Sequence, residues 1–320
     1  MGDPVGAPTT AWSTPGLGVR RSETIERALV RVVGEQLNVV TAALEAEPED
    51  VGRAVHVARR TLKKVRALLK LVVPDEGVSA LTAPVLELRD AGRAISSLRD
   101  ADVLVQTAAA VAKRLSSDAE LEAFAPLEDL VREEYEARSA EGDQAGLATA
   151  ANHVATARAS IDVWTPEQEG FTLISDRLGA WYCRAKKAMV KACGEASAKA
   201  FHSWRKRSKD VRHQLEFLAP VAPELKVAAK DFHRLTDVLG EANDLLQLEI
   251  AARRLGSDGL ASPGGVLESI AEMQRSQWSE ACDLGRTLYS RRPADHVAEL
   301  DGHWQRWITE ERAEPGPAQG

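Results

Sequence analysis

The sequence predicts an all-α protein built from two related helical-bundle halves. Of the 320 residues, 44% are hydrophobic but only 5% are aromatic. Ala, Leu, Glu, Arg and Val dominate, and the alternation of β-branched or aromatic residues that is typical of strands is scarce. Apolar residues recur with a helical period through most of the chain. The length is sufficient for two ordinary domains or for one large duplicated domain.

The periodicity predicts ten helices, several of which have proline at an end. Pro48 precedes the second helix and Pro74 follows it, and Pro84 lies near the start of the third. Pro220 and Pro223 follow the seventh helix. The predicted helices span residues 22–46, 51–73, 80–114, 117–140, 144–161, 172–194, 198–219, 223–255, 264–289 and 294–311.

Composition also divides the chain into tails and halves. Residues 1–20 and 312–320 are rich in Gly, Pro and small residues, and we expect both to be disordered tails. Polar residues, Pro and Gly interrupt the helical pattern around residue 165. We therefore expect a first helical half at 21–162 and a second at 163–311.

Charge is segregated along the chain. The formal net charge of −7 would by itself disfavour an anionic partner, because long-range steering would be repulsive. Residues 53–70, however, contain seven Arg or Lys and no acid, and residues 184–213 contain ten Arg or Lys against two acids. The two local basic segments therefore indicate the kind of partner better than the net charge does.

The two basic segments repeat each other at a constant offset of 146 residues. The shared pattern is H-x-x-R-x-x-x-K-x-x-R. It aligns His56 with His202, Arg59 with Arg205, Arg60 with Lys206, Lys63 with Lys209, and Arg66 with Arg212. A second match, of residues 96–102 with 240–246, lies about 30 residues further on. The period is too long for a solenoid, so it predicts a duplicated half with an approximate two-fold relation.

Each basic segment predicts an amphipathic helix with a cationic stripe. On a helical wheel, His56, Arg59, Lys63 and Arg66 fall within roughly 80° of one another, and apolar residues cover the opposite half. Cations at these spacings repel one another, and neither stripe interleaves a Glu. A bound polyanion would relieve that repulsion, with Arg gripping two phosphate oxygens and Lys supplying a mobile charge. We therefore expect a polyanion-binding site, where phosphate would raise the histidine pKa.

The cysteines and the hydropathy profile bear on the compartment. Cys183 and Cys193 would lie about 15 Å apart on one helix, which is too far to bridge. With three cysteines and no recognisable disulfide framework, a reducing compartment is the default expectation. No apolar run approaches 18 residues, and the N-terminus lacks an apolar signal core. We expect a soluble, cytoplasmic protein that does not enter a membrane.

At these residues the sequence resembles the CHAD family of conserved-histidine α-helical domains. The matching marks are the doubled H-x-x-R-[RK]-x-x-K-x-x-R motif, L-R-D-A-D (98–102) and L-G-E-A-N-D (239–244); W-Y-C-R-A-K-K-A-M (181–189) matches less specifically. The resemblance extends over about residues 22–311. It implies two bundle-like halves around a basic groove or pore, binding of inorganic polyphosphate, and association with polyphosphate granules.

The resemblance also implies a set of polyphosphate contacts. These are His56, Arg59, Arg60, Lys63, Arg66, Arg184, Lys187, His202, Arg205, Lys206, Lys209 and Arg212. The second half departs from the pattern, because Asp210 follows Lys209, Glu216 stands where Lys70 has its equivalent, and Leu246 stands where Asp102 has its equivalent. These departures make it uncertain that the two halves bind equally.

Alternative chemistries have weaker signals. Asp100, Asp102 and Asp244 are candidate general bases or magnesium ligands, but a role in orienting the arginines is favoured. The remaining histidines, at 153, 213, 233, 296 and 303, show no metal-ligand spacing. The chain has no P-loop and no nucleophile elbow. We expect no cofactor, no metal and no catalytic residue.

Two further functional classes remain as alternatives to non-enzymatic binding of polyphosphate. The first is a histidine-dependent phosphotransferase or metal-dependent phosphohydrolase, which would need an acid or metal cluster facing the stripe. The second is a nucleic-acid binder. It is disfavoured because the stripe lacks interleaved aromatic residues for base stacking and because a net charge of −7 is unusual for a duplex binder.

Overall fold

The computed structural model confirms the all-helical class. It describes residues 12, 15–47, 51–74, 79–115, 117–141, 144–166, 168–257 and 264–313. Within these ranges there are eleven α-helices, a short 3-10 turn at Ala219–Val221 and no strand. The helices are α1 (Ile25–Leu44), α2 (Val51–Leu69), α3 (Thr82–Ala94), α4 (Ser97–Ala112), α5 (Asp118–Glu141), α6 (Gln144–Asp162), α7 (Thr172–Glu195), α8 (Ala198–Leu218), α9 (Pro223–Ser257), α10 (Gly264–Leu288) and α11 (Pro293–Ala313). None of the described helices is both long and apolar enough to cross a bilayer.

The helix predicted over residues 80–114 is interrupted. Helix α3 ends at Ala94 and α4 begins at Ser97, and Ile95 between them has left the helical conformation. The guanidinium of Arg59 donates to the carbonyl of Ser96 at 2.6 Å, so a side chain from α2 adds a second donor to a carbonyl that already accepts from the amide of Asp100 at the start of α4. No proline or glycine lies at the break, and the sequence pattern therefore did not predict it.

Part of the expected N-terminal tail is packed. In the described segment 15–20, Leu17 and Val19 are buried. The amide of Val19 donates to the carbonyl of Phe217 at 3.0 Å, near the end of α8. The remainder of the two predicted tails, at 1–11, 13–14 and 314–320, lies outside the described residues. The order at 15–20 follows from two apolar side chains that the Gly- and Pro-rich composition obscured.

The two halves share their hydrophobic cores. The larger core combines residues of α1, α2, α3 and α6 with residues of α7, α8, α11 and the first part of α9. The smaller core joins Val111 and Phe124, from α4 and α5, to Leu248 and Ile270, from α9 and α10. Because each core draws on both halves, the boundary near residue 163 does not separate two independently packed units.

Helix packing between the halves follows the predicted repeat. At the offset of 146, α1, α2, α5 and α6 correspond to α7, α8, α10 and α11, and α3 with α4 corresponds to α9. Across the two halves, α2 packs on α8, α4 packs on α9, and α5 contacts α9 and α10. Contacts between corresponding helices are what an approximate two-fold axis produces. The duplication itself stays a prediction.

A disulfide contradicts the expectation drawn from the cysteines. Cys193 of α7 bonds to Cys282 of α10, with their Cα atoms 6.0 Å apart, while Cys183 is free. The pair was missed because its members are separated by 89 residues and only the packing of α7 on α10 brings them together. The expectation that the chain has no disulfide is therefore wrong. The expectation of a reducing compartment rested on it.

Candidate functional site

The first stripe lies on α2 and faces away from the core. The apolar back of the helix is buried, including Val55, Leu62 and Val65. Arg60 and Lys63 are exposed to solvent. The three other members of the stripe are partly buried, namely His56, Arg59 and Arg66. The predicted amphipathic geometry of α2 is thus present.

The second stripe lies on α8 and is more deeply placed. Lys206 is exposed, His202, Arg205 and Lys209 are partly buried, and Arg212 is buried. The bulky side chains of Phe201 and Trp204 are buried in the core and anchor the helix there. The aligned residues therefore have the same exposure class at the first three positions of the stripes, and the second stripe is more buried at Lys209 and Arg212.

The two stripes meet where α2 packs on α8. Burial, together with the neighbouring charges of Arg205, Lys63 and Arg212, lowers the pKa of Lys209 to about 7, against a smaller opposite effect of Asp244. Since Lys63 belongs to α2 and Lys209 to α8, cations from both halves act on one ammonium group. The structure therefore brings members of both predicted stripes into one electropositive region.

Two arginines of this region carry buried nitrogen atoms without a hydrogen-bond partner. Among the described residues, no acceptor reaches Nε of Arg66 or Nε of Arg205. Burial lowers the pKa of both guanidinium groups, and for Arg205 the attraction of Asp244 and Asp237 only partly offsets this effect. A buried donor without an acceptor is uncommon and calls for a specific explanation.

Arg59, which is aligned with Arg205, has a different environment. Besides the bond to the Ser96 carbonyl, Nη1 approaches the Ile95 carbonyl at 3.5 Å, and Nη2 lies 3.3 Å from the Asp100 carboxylate. Asp100 thus pairs with an arginine of the stripe, and its role in orienting that arginine stays a prediction. Arg59 connects α2 to the α3–α4 break, whereas no comparable bond of Arg205 occurs among the described residues.

His202 is held in one orientation. Its Nδ1 lies 2.8 Å from Oδ1 of Asn243, whose amide nitrogen in turn donates to Asp244. Because a carboxamide oxygen only accepts, the neutral ring carries its proton on Nδ1 and leaves Nε2 as an acceptor. Burial lowers the pKa of His202, against the bond to Asn243, and the charges of Lys206 and Arg205 lower it further. Asn243, within the L-G-E-A-N-D match, is a positioning residue that motif analysis did not single out.

One acid of the second basic segment, Asp210, pairs across the seam between the halves. Asp210 of α8 accepts from the ammonium of Lys70, just after α2, at 2.7 Å. At the offset of 146, Lys70 corresponds to Glu216 and Asp210 corresponds to Lys64. Lys64 is buried, and Glu216 is among the charges that raise its pKa, although burial lowers that pKa to about 8 overall. At the aligned positions, Lys64 and Glu216 therefore also attract each other, in addition to the direct pair of Lys70 with Asp210.

Glu216 also neutralises part of the second stripe. It accepts from Nε of Arg212 at 2.7 Å and lies 2.8 Å from Nδ1 of His213. Burial raises the pKa of Glu216, but the bonds and charges of His213 and Arg212 outweigh this effect and lower it to about 2. Nη1 of Arg212 also donates to Thr236. Arg212 therefore has protein partners at both ends of its guanidinium.

Arg184 and Lys187 lie apart from the stripes. They line a cleft between α7 and α8, together with Ser203 and Arg207 of α8. On the α8 wheel, these α8 positions lie roughly 140–180° from the centre of the stripe. The structure therefore does not bring Arg184 and Lys187 together with the other predicted contacts. The guanidinium of Arg184 lies over the ring of Trp181, 4.7 Å from its centre.

The other histidines and the remaining acids show packing or pairing roles. His153 lies beside Glu87, His213 beside Glu216, His233 beside Asp237 and His303 beside Arg306, while His296 stacks on Tyr182. Asp102 accepts from Gln106. Within the described part of the chain, no group of three or more His, Cys, Asp or Glu side chains is arranged to hold a metal ion.

Comparison with known proteins places this architecture in a family. The chain is similar to the crystal structure of the CHAD domain from the plant Ricinus communis, with a TM-score of 0.60, 18% sequence identity, and coverage of 88% of this chain and 97% of that chain. No match was found among curated proteins. The CHAD domain family model matches residues 31–253, more than half of the sequence. The chain therefore belongs to the CHAD domain family.

Proposed function

We propose that this protein binds inorganic polyphosphate without catalysis, through the stripes of α2 and α8. The supporting observation is the cluster of like charges around Lys209, to which Lys63 of one helix and Arg205 and Arg212 of the other contribute. Holding cations together in a partly desolvated place is unfavourable unless an anion compensates them. A linear polyanion would compensate the whole cluster in a single binding event.

The residues of the proposed site have different roles. Arg60, Lys63 and Lys206 are exposed and would make direct phosphate contacts. Arg66 and Arg205 are partly buried and would add guanidinium donors at the edge of the site. His56 and His202 would add one donor each, since an approaching phosphate raises the histidine pKa. Arg59, Lys209 and Arg212 complete the proposed set.

The internal partners of Arg59 and Arg212 reduce what these two residues can offer to a ligand. Arg59 is bonded to the α3–α4 break, and Arg212 is bonded to Glu216 and Thr236. We therefore propose that they mainly hold the stripes in place. The two halves would then contribute unequally, with Arg205 more important for binding than the aligned Arg59.

Polyphosphate accounts for the site better than nucleic acid does. The stripes present Arg, Lys and His without exposed aromatic residues between them, and base stacking on such residues is the usual means of holding single strands. A phosphate polymer without bases needs only charge and hydrogen-bond donors. The proposal therefore rests on the residue types of the stripes together with family membership. Family membership by itself establishes a CHAD domain but not its ligand.

The direct test is titration with long-chain polyphosphate over a salt series. The apparent affinity should fall steeply with salt, because bound cations displace condensed counterions. Replacing both Arg60 and Lys206 with Ala should lower affinity and reduce the salt slope by about one for each lost contact. Lys230→Ala, on an exposed part of α9, is the matched control. Absence of binding at low salt, or equal losses in the control, would overturn the proposal.

The non-catalytic part of the proposal has its own test. The acids near the stripes, Asp100 and Asp244, act on neighbouring cations, so neither is an evident base for activating water. Phosphoryl transfer depends mainly on positioning and charge stabilisation, but it still needs a placed nucleophile. We expect no phosphate release from polyphosphate with magnesium or manganese. Release that disappears in His56→Ala or His202→Ala, while binding persists, would favour an enzyme.

A further inference from the structure

A second electropositive feature lies outside the stripes, between α7 and α8. It is a cleft of about 520 Å³, within the size range of ordinary small-ligand sites. Five cationic side chains line it, namely Arg184, Lys187, Lys191, Lys199 and Arg207. A single acid, Glu195, lies among them. We call this feature the α7–α8 cleft.

The charges of the α7–α8 cleft are only partly compensated. Glu195 pairs with Lys191 at 3.6 Å. Within the described residues, no carboxylate pairs with Lys187 or Lys199, both of which are exposed. An ordinary solvated surface would alternate charges to avoid such repulsion. The cleft therefore concentrates positive charge in a chain whose formal net charge is −7.

Two of the cationic side chains are fixed by the protein. The guanidinium of Arg184 rests on the ring of Trp181, a cation–π arrangement that limits its motion. Nη1 of Arg207 donates to the backbone carbonyl of Ser203 at 3.0 Å. A binding site with pre-ordered donors loses less conformational entropy when a ligand arrives. The cleft thus combines two ordered guanidinium groups with two mobile, unpaired ammonium groups.

We propose that the α7–α8 cleft is a separate site for a compact oligophosphate group such as a triphosphate. A cleft of this volume accommodates a short group with dense charge, whereas a long polymer would need an extended groove. Arginine forks and lysine point charges are the usual donors to linked phosphates. The triphosphate could be free or could belong to a nucleotide. This inference is independent of the function proposed for the stripes, because the cleft lies on the other side of α8.

Calorimetric titrations with inorganic triphosphate and with ATP, at physiological salt, would test this site. The variant K187Q/K199Q should bind the triphosphate group at least about tenfold more weakly, as expected for losing charged hydrogen bonds. Its binding of long-chain polyphosphate should be unchanged. The matched variant K63Q/K206Q removes the same charges from the stripes and should show the opposite pattern. If both ATP and inorganic triphosphate bind, the cleft accepts the triphosphate group of a nucleotide as well as free triphosphate. If only one of them binds, that compound identifies the form of the triphosphate group that the cleft accepts.

The outcomes separate the two proposals. If the native protein binds neither inorganic triphosphate nor ATP, or if both variants lose triphosphate equally, the cleft proposal is overturned while the stripes are unaffected. If triphosphate binds in the cleft but long-chain polyphosphate does not bind at all, the proposed function fails alone. Far-ultraviolet circular dichroism would verify folding of each variant. The single charge reversal K199E provides a second measurement should the double variant be altered in structure.

Discussion

The aligned arginines Arg59 and Arg205 should respond in opposite ways to the same substitution. Methionine is a suitable replacement because it keeps an unbranched apolar stem while removing the charge and the donors. In Arg59→Met, the carbonyl of Ser96 loses a charged donor at 2.6 Å. In Arg205→Met no bond to Nε is lost, since that atom has no acceptor among the described residues. The stability effect therefore depends on surroundings that the motif does not encode.

The magnitudes follow from these contacts. A hydrogen bond to a charged group contributes about 1.5–3 kcal/mol. The ion pair with Asp100, whose side chain is 64% exposed, adds about 0–1 kcal/mol at most. Arg59→Met should therefore lower the free energy of unfolding by roughly 1.5–4 kcal/mol. Burial disfavours the charged form of Arg205, so Arg205→Met should leave that free energy unchanged or raise it by about 1 kcal/mol.

Urea denaturation followed by circular dichroism gives both free energies, provided that the slope with denaturant is unchanged. Binding of long-chain polyphosphate should be measured in parallel, and there Arg205→Met should have the larger effect. Equal destabilisation by the two substitutions would refute the reasoning, because it would mean that Arg205 has a structural role as strong as that of Arg59. A loss of binding in Arg59→Met that exceeds the loss in Arg205→Met would refute the assignment of roles within the site.

Three further outcomes are expected. Because the pKa of Lys209 is lowered to about 7 from an unfolded value near 10.4, the unfolded chain binds more protons between these limits. The free energy of unfolding should therefore rise with pH from about 7 to about 10 and rise less in Lys209→Met; equal profiles would contradict the lowered pKa. In a double-mutant cycle with Lys70→Met and Asp210→Asn, urea denaturation should give a coupling of about 0.5–3 kcal/mol, and additive effects would show that this seam contact is unimportant. Cys282→Ser should lower the free energy of unfolding by about 2–4 kcal/mol through loss of the bond to Cys193, with Cys183→Ser as the control; equal effects would contradict the disulfide.

The positions of the helices were largely determined by local sequence. Apolar periodicity and proline placement are properties of neighbouring residues. They predicted helix at all the described helical segments, but they did not predict the break that separates α3 from α4. At that break Arg59, from another helix, donates to the carbonyl of Ser96. Helical periodicity along the chain carries no information about such a contact. The burial of Leu17 and Val19 was missed for the same reason, because it depends on packing against a helix that is distant in sequence.

The residue types of the stripes were also determined by the sequence, since spacing alone assigns them to one face of a helix. The tertiary structure decided which of these cations face one another, which have partners and which are buried. It paired Lys70 with Asp210, placed Lys63 near Lys209 and separated Arg184 from both stripes. These relations depend on how helices distant in sequence pack, because burial and charge act through space. The sequence therefore determined the chemistry available to the protein, and packing determined where that chemistry is concentrated.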